Sequence, residues 1–450
     1  MKIFLTSLTA VILLGSCQVK TRTQKDSELI VYADSIFSIA VDSSEIAGAA
    51  ILIAKGDSVL LDNRYGFSSL ELQVPIPEEA QFEIGSVTKQ FTAAAILKLA
   101  EDGKLNLDDD FTQYLDFDTR GRKVTIRQLL DHTSGIPGYT EMPFFGDLMI
   151  QHKPKDTLVR LVEKGDFLFE PGEAMIYNNS AYFFLGIIIE KASGESYETY
   201  LEKNIFIPLK MEHTYYCSNT EIKNGKVYGY SFTGEGLSQK GYLDHTWPYA
   251  AGSLCSSTQD LYTWLKALHH GNVLDVATYK TMITPDTLND GTPLSYAKGL
   301  LHFKNQGHDM IAHGGGINGF LSEARYFPDD DLYVICLVNT TGPKGAGYFA
   351  DALSWELLDK VPVDQKALDT DLSKLVGYYS GAVRGRRIGL NVEAMNDTLL
   401  IKHEGREKVD TLSVFIGNNT WVEGNDVISF SEDKMKINEN YGFYILKKSE

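Results

Sequence analysis

The segment FEIGSVTKQFTAAAILKLAEDGK, residues 82–104, places a serine and a lysine three positions apart at the start of an otherwise almost wholly apolar run. Over residues 87–100, apolar side chains, mainly alanine and leucine, point in nearly every direction of a helical period. This pattern is typical of a helix buried in a core. Gly103 follows as a glycine that ends the helix. The sequence therefore predicts a core helix whose first turn carries Lys89 facing Ser86.

The Ser-x-x-Lys pattern also occurs at Ser295 and Ser431, so the pattern alone carries little weight. Those copies lie in a loop rich in Gly, Pro and Asn and in a charged, turn-like run, where we expect both to be solvated. A buried lysine has a lowered pKa, and a neutral amine can take a proton from a neighbouring serine. Context therefore favours Ser86 and Lys89 as a reactive pair, with plain helix packing as the alternative.

Length and charge narrow the classes of function. The chain has 450 residues, more than one core usually holds, so we expect two domains. Its formal net charge of −18 would be repelled by nucleic acids and by anionic membrane surfaces. We therefore expect a small-molecule or peptide substrate and no nucleic-acid partner. No protein partner is evident, and no metal cluster or cofactor motif is visible.

The N-terminus has the features of an export signal. Residues 1–16 combine a positive charge, an apolar run too short to span a membrane permanently, and small residues. The tetrad LGSC at residues 14–17 resembles the lipobox of bacterial lipoproteins. That resemblance implies lipid attachment at Cys17 and a place in the bacterial cell envelope, facing the periplasm or the exterior. An ordinary cleaved signal is the alternative, and residues 17–26 would be a polar tether.

The cysteines set few constraints on the fold. If Cys17 is lipidated, three remain, which allows at most one disulfide. Cys336 lies in the strand-like segment DLYVICLVN, so we expect a buried apolar thiol there. Disulfides are therefore not expected to hold the protein together.

Residues 27–362 are predicted to form an α+β domain. A helical pattern and then two strands joined by a Gly-Asp turn open it, in SELIVYADSIFSIAV and GAAILIAKGDSVLLDNRYG. Three strand candidates and a helix close it, in MIAHGGGINGFLSEARYFPDDDLYVICLVN and GYFADALSWELLDKV. Strands from both ends should pair in one antiparallel sheet, with the mostly helical middle, residues 86–300, against one side.

The hydrophobic pattern of the sequence changes in the C-terminal residues 368–450. Short alternating runs between Asn, Asp and Gly turns predict antiparallel strands without a helix, as in a small barrel or sandwich. No residue there looks catalytic. The opening LSKLVGYYSG resembles the lipocalin-like domains attached to some hydrolases, so this domain would either cap the site or bind a ligand.

Two further motifs in the first domain could complete the site. Tyr177-Asn178-Asn179 follows a Pro-Gly turn and precedes another nearly all-apolar helix. A phenol beside a lysine ammonium would have a lowered pKa, which would suit Tyr177 as a general base. His313 precedes three glycines, which would let the backbone of a strand approach a ligand closely. Packing roles are the alternative for both motifs.

Together these motifs resemble the serine β-lactamase and penicillin-binding-protein family, in its branch of class C β-lactamases, D-alanyl-D-alanine carboxypeptidases and related esterases. That family carries Ser-x-x-Lys, then Tyr-x-Asn, then Lys-Thr-Gly or His-x-Gly, in this order. The spacer segments IRQLLDHTSGIPGY, FIPLKMEHTYY and AAGSLCSSTQDL also look like those of the family. The resemblance spans residues 27–362 and implies a β-lactamase/transpeptidase-like fold, an antiparallel sheet flanked by helices.

The resemblance implies the roles of the catalytic residues. Ser86 would be the nucleophile that forms an acyl-enzyme. Lys89 and Tyr177 would move the proton, with Tyr177 the preferred base for attack and deacylation. The deacylating water would be activated by Tyr177, since no metal is expected.

It also implies which groups bind the substrate. Asn179 would bind a substrate amide, and His313 with Gly315 would take the place of Lys-Thr-Gly. The backbone N–H groups of Ser86 and Gly316 would form the oxyanion hole, where negative charge develops in the transition state.

One departure from the family pattern bears on the substrate. Histidine in place of the motif lysine at position 313 weakens the fixed positive charge that would hold a carboxylate. We therefore favour a hydrolase acting on peptides, amides or esters of the D-amino-acid type. The alternatives are a β-lactamase, a penicillin sensor that is only acylated, and a ligand-binding lipoprotein.

Overall fold

The computed structural model describes residues 24–449 except Arg406, Asn425, Glu432 and Asn440. The predicted signal peptide, Cys17 and most of the tether lie outside this part of the chain. Among the described helices, none is both long and apolar enough to cross a membrane.

The helices, in chain order, are α1 (Gln24–Asp42), α2 (Thr88–Glu101), α3 (Ile126–Leu130), α4 (Phe145–Leu148), α5 (Lys155–Glu163), α6 (Asn179–Ser193), α7 (Tyr197–Leu201), α8 (Ile207–Leu209), α9 (Thr258–His269), α10 (Val276–Ile283) and α11 (Ala346–Leu357).

The strands of the hydrolase-like part are β1 (Gly48–Lys55), β2 (Ser58–Ser69), β3 (Val74–Pro75), β4 (Phe82–Glu83), β5 (Met175–Ile176), β6 (Tyr215–Tyr216), β7 (Tyr230–Phe232), β8 (Leu237–Gln239), β9 (Leu254–Ser256), β10 (Leu301–Asn305), β11 (His308–Ile317), β12 (Phe320–Phe327), β13 (Leu332–Val338) and β14 (Thr340–Thr341). Those of the C-terminal part are β15 (Gly377–Val383), β16 (Arg386–Met395), β17 (Thr398–His403), β18 (Val409–Leu412), β19 (Val414–Gly417), β20 (Thr420–Glu423), β21 (Asp426–Ser431), β22 (Lys434–Glu439) and β23 (Gly442–Lys448).

Strands from both ends of the first domain form one sheet, as predicted. Its order is β10-β11-β12-β13-β1-β2-β3. The pairs β10-β11, β11-β12, β12-β13, β13-β1 and β1-β2 are antiparallel. Ile51 of β1 lies opposite Cys336 of β13, across almost the full length of the domain in sequence. Both strands are buried almost throughout, which explains their continuous apolar runs. The predicted α+β class is confirmed.

The two faces of this sheet carry separate cores. On one face, α1 and α11 cover a core that includes Phe37 stacked on Phe349. On the other, a larger core joins the sheet to the helical middle of the chain, with α2 packed beside α6. All the apolar residues of α2 from Phe91 to Leu99 are buried, so the nearly all-apolar pattern reflects a helix enclosed on every side.

One disulfide joins Cys217 to Cys255 on β9, and Cys336 is a buried free thiol. For the three cysteines in the described part of the chain, this agrees with the expectation of at most one disulfide. The bridge ties the segment after β6 to β9, and β9 also pairs with β4, three residues before Ser86.

The C-terminal strands form a nearly closed barrel in the order β18-β17-β16-β15-β23-β22-β21-β20-β19. Alternate residues of these strands fill its interior, where Trp421 packs on Phe415 and Phe430. Strand β23 pairs with β15 only near Lys447 and Lys448, and β5 of the first domain pairs with its Gly442–Phe443 end. The first domain therefore supplies a strand to the barrel sheet.

Candidate active site

Ser86 lies on a single 3-10 turn, Gly85–Val87, that leads directly into α2. Gly85 has a φ of +49°, a backbone region that favours glycine. A Cβ atom at this position would lie 2.9 Å from the backbone nitrogen of Gly316 on β11. Glycine at position 85 therefore allows the turn to approach the strand, and this approach places Ser86 beside the sheet.

Lys89 is fully buried in the first turn of α2, as predicted. Its Nζ lies 3.1 Å from Ser86 Oγ, 2.9 Å from Asn179 Oδ1 and 2.6 Å from the carbonyl oxygen of Ala251. The side chain is therefore held at the nucleophile by two oxygen acceptors besides the serine.

The environment of Lys89 favours its neutral form. Burial holds its pKa well below the ordinary value of a lysine, and the nearby Arg384 guanidinium lowers the pKa further. The Glu141 carboxylate opposes this effect. A lysine of this kind can accept the proton of Ser86.

Tyr177 follows β5 directly and is buried against the same lysine, with Lys89 Nζ 4.8 Å from the centre of its ring. Burial raises the pKa of Tyr177, while a contact with Ser86 and the charge of Arg384 oppose the rise only in part. The expected lowering of the Tyr177 pKa is therefore wrong, because burial of the phenol outweighs the groups that lower its pKa. No described residue makes a full hydrogen bond to Tyr177 Oη.

Asn178 and Asn179 have different tasks at the start of α6. Asn178 caps the helix by accepting a hydrogen bond from the Ala181 N–H. Asn179 is the first helical residue, and its Nδ2 donates to Thr140 Oγ1 at 3.2 Å while its oxygen accepts from Lys89. Asn179 therefore lies in the site, as predicted.

His313 is fully buried on β11 and does not reach the cavity wall. Its Nε2 lies 3.0 Å from Tyr296 Oη, and its Nδ1 lies 2.6 Å from the carbonyl oxygen of Gly314. Burial lowers the pKa of His313 to about 3. The imidazole packs against Tyr177, Tyr296 and Tyr441 and lies just outside the lining of the cavity, so its role in orienting substrate stays a prediction.

The three glycines after His313 bring the strand backbone to Ser86. A Cβ at Gly315 would lie 3.1 Å from the backbone nitrogen of Ser86. The N–H of Gly314 donates to Tyr441 Oη at 2.8 Å. This N–H lies on the edge of β11 that pairs with β10, beyond Ala312, where that pairing ends. Since alternate N–H groups of a strand share an edge, the N–H of Gly316 points the same way. This orientation suits the predicted oxyanion donor.

The two other Ser-x-x-Lys copies lie outside the site. Ser431 is exposed, as predicted. Lys298, three residues after Ser295, is instead buried, and its Nζ lies 2.8 Å from Asp286 and 3.4 Å from Asp131. The prediction that it is solvated is wrong, because two carboxylates provide the charge partners that a buried ammonium needs.

A cavity of about 400 Å³ opens over the nucleophile. Its lining comprises Ser86, Tyr177, Asn179, Gly314, Gly315, Gly316, Leu321, Ser322, Glu323, Gly345, Ala346, Gly347, Arg384 and Tyr441. Two of these residues, Arg384 and Tyr441, come from the C-terminal barrel.

Neither barrel residue was predicted from the sequence to belong to the site. Arg384 lies in the turn between β15 and β16, and Tyr441 in the turn between β22 and β23. The barrel thus caps the site, one of the two roles that the sequence left open. The cluster VRGRR at residues 383–387 was a usable signal, since three arginines at one hairpin turn are more than a turn requires.

Among the described residues, no three His, Cys, Asp or Glu side chains are placed to hold a metal ion. The polar groups of the site are arranged around one serine hydroxyl.

The beta-lactamase family model matches residues 33–358. The chain belongs to the beta-lactamase family. Protein flp of Staphylococcus aureus (strain MRSA252) is 28% identical over 317 residues, which cover 68% of this chain and 62% of that protein. The chain thus matches somewhat less than two thirds of the length of this relative.

Solved structures extend the likeness. An octameric penicillin-binding protein homologue from Pyrococcus abyssi has a TM-score of 0.67 at 26% identity and covers 93% of this chain and 100% of its own. A D-stereospecific amidohydrolase from Streptomyces sp. has a TM-score of 0.62 at 26% identity, over 71% of this chain and 97% of its own. The first of these matches takes in most of the C-terminal barrel as well as the family domain.

Proposed function

We propose that this beta-lactamase family member is a serine hydrolase that forms an acyl-enzyme on Ser86. The observation that carries the proposal is the fully buried Lys89, whose Nζ lies 3.1 Å from Ser86 Oγ. Burying a lysine without a carboxylate partner is costly. If this buried helix position served only for packing, it would carry an apolar residue.

The environment of each group suggests its role in the reaction. Neutral Lys89 accepts the proton of Ser86 as the serine oxygen attacks the carbonyl carbon. The backbone N–H groups of Ser86 and Gly316 stabilise the oxyanion. When the bond to the leaving group breaks, Tyr177, a protonated phenol next to Ser86, donates the proton that the leaving group needs. Lys89 then returns its proton to Tyr177.

Deacylation reverses this sequence with water in place of the leaving group. Water attacks the acyl carbon, its proton passes to the lysine and tyrosine pair, and Ser86 recovers a proton as the acid departs. With the raised pKa of Tyr177, Lys89 replaces Tyr177 as our preferred base.

D-amino-acid amides, peptides and esters are the substrates we favour. The similarity to the D-stereospecific amidohydrolase supports this choice. Asn179, whose amide already bridges Lys89 and Thr140, would bind the substrate amide.

The proposal is tested by labelling with a fluorophosphonate probe and by turnover. The full-length protein should label at Ser86 and hydrolyse p-nitrophenyl esters, and Ser86→Ala should abolish both. Lys89→Ala should lower the rate by roughly 100-fold or more, yet cost little in the Ser86→Ala background, since the two act as a unit. Exposed Ser431→Ala is the matched control. Labelling without turnover would indicate a sensor, and no labelling would refute the hydrolase.

The substrate class is then found with a panel of D-amino-acid amides, D-Ala-D-Ala peptides and a chromogenic cephalosporin. Faster turnover of the cephalosporin than of every amide and peptide would favour the β-lactamase alternative over the substrates proposed here.

We also propose a lipid anchor at Cys17 in the cell envelope, on the lipobox-like LGSC. The protein should label with palmitate and partition into detergent, and Cys17→Ser should remove the label. An unlabelled wild-type protein would refute the anchor.

A further inference from the structure

The positive charge of the catalytic cavity comes from the barrel. Arg384 lines two cavities that contain Ser86, one of about 400 Å³ and one of about 210 Å³. Among the described residues lining these two cavities, it is the one Lys or Arg. Within the first domain, Lys89 lies beneath the serine, bonded to three oxygens, and His313 is buried and uncharged.

The guanidinium of Arg384 is held in place by two contacts. Its Nε donates to Glu141 Oε1 at 2.7 Å, and its central carbon lies 5.1 Å from the centre of the Tyr177 ring. Glu141 is in turn fixed by a 2.7 Å hydrogen bond from Thr140 Oγ1. These contacts orient the guanidinium plane without using its two terminal NH₂ groups.

The far end of this guanidinium is open to a ligand. Neither of its two terminal NH₂ groups makes a hydrogen bond to a described residue, and the side chain is 41% exposed. Two parallel N–H donors in this arrangement match the two oxygens of a carboxylate. A neutral ligand group could accept hydrogen bonds from only part of this pair of N–H donors.

The position of Arg384 indicates which part of a substrate it meets. It lies over Tyr177, the residue that donates a proton to the leaving group in the proposed mechanism. A group bound at Arg384 therefore belongs on the leaving-group side of the scissile bond. This step depends on the proposed function.

We propose that Arg384, supplied by the C-terminal barrel, is a specificity-determining residue that binds a free carboxylate on the leaving group. The substrates would then be acyl amino acids, peptides or thioesters whose departing part ends in a carboxylate. The barrel would select the substrate, and the first domain would carry out the chemistry.

Two matched thioesters test this proposal in the full-length protein. Both have an N-benzoyl-D-alanyl group, and the leaving thiol is mercaptoacetate in one and mercaptoacetamide in the other. Release of thiol is measured in the same way for both. The wild-type protein should prefer the carboxylate. Arg384→Gln should reduce the ratio of the two kcat/KM values by roughly 10- to 100-fold, as expected for a charged bidentate hydrogen bond.

Two more variants separate recognition from folding. Arg387→Gln changes an exposed arginine on the same hairpin that lines neither cavity containing Ser86, so the ratio should stay within about threefold of wild type. Arg384→Lys keeps the charge but not the fork, so it should restore part of the ratio. Labelling of Ser86 by a fluorophosphonate shows that each variant is folded.

The results distinguish this inference from the proposed function. If Ser86 labels and both thioesters turn over, but the ratio is the same in wild type and Arg384→Gln, the inference is overturned and the hydrolase stands. A wild-type ratio near one would overturn it equally. If wild-type Ser86 neither labels nor turns over either thioester, the proposed function fails first.

Discussion

At the scale of single residues, the site contains a fully buried lysine whose pKa is lowered. Lys89 is enclosed by the core, and its neighbours include no carboxylate in direct contact. Burial alone would lower its pKa. Arg384 and Glu141, which are paired with each other near the cavity, act on the lysine in opposite directions. The barrel arginine thus lowers the Lys89 pKa as well as facing the cavity.

This arrangement predicts the pH dependence of the reaction. Activity should be lost in acid as Lys89 becomes protonated. Arg384 lowers the Lys89 pKa, so Arg384→Gln should raise that pKa and move the acid limb to higher pH. Glu141 raises the Lys89 pKa, so Glu141→Gln should move the acid limb to lower pH. The measurement is kcat/KM for a neutral p-nitrophenyl ester from about pH 4 to 10. Shifts in the same direction for both variants would contradict this reading.

At the scale of secondary-structure elements, β5 links the two domains. Its two residues pair with Gly442 and Phe443 of β23, and the chain then continues into Tyr177. Tyr441, just before β23, accepts the hydrogen bond of Gly314. The barrel therefore contacts the site at the tyrosine motif and at the glycine strand.

The hydrogen bond between Tyr441 and Gly314 should help to hold the edge of β11. Tyr441→Phe keeps the ring against Tyr177 but removes the acceptor, so we expect a loss of about 1 kcal/mol in the free energy of unfolding and a severalfold fall in kcat. Tyr378→Phe is the matched control, because that hydroxyl bonds Glu404 on the barrel surface. Denaturant unfolding and ester turnover are the measurements. Equal effects of the two variants would argue against a role for this contact in the site.

The sequence predicted the elements and the sheet of the first domain, but not the contacts between that domain and the barrel. The apolar run of α2 and the strands β1 and β2 are local patterns, and their periods reveal them directly. The pairing of Ile176 with Gly442 joins residues far apart in the chain, and no local pattern encodes it. Tyr441, next to Gly442, reaches Gly314 beside that pairing.

The same limit explains the errors about charge. The pKa of Tyr177 and the burial of Lys298 depend on which distant groups close around them. Ser86, Lys89 and Asn179 were found because their order and spacing along the chain are themselves a pattern.

At the scale of the whole molecule, the barrel is fixed to the first domain over a wide contact. Beyond the strand pairing, Lys436 Nζ donates to Thr292 Oγ1 at 2.8 Å, and Asn438 Nδ2 to Ser295 Oγ at 3.1 Å. Phe443 packs in one apolar cluster with Tyr177 and its neighbours. The covalent connection, residues 359–367, is exposed and has no helix or strand.

These contacts predict that the barrel stays in place when the connection is cut. A site for a specific protease inserted between Val363 and Asp364, where the chain is exposed, should be cleaved without loss of structure. The two parts should elute together in gel filtration and keep both ester hydrolysis and the preference for a leaving-group carboxylate. In the cleaved protein, Phe443→Asp should separate the parts, because an unpaired charge would be buried in the shared cluster. Uncleaved Phe443→Asp is the control, since its tether maintains a high local concentration. If the cleaved wild-type parts separate while hydrolysis and selectivity persist, the barrel is not part of the active site.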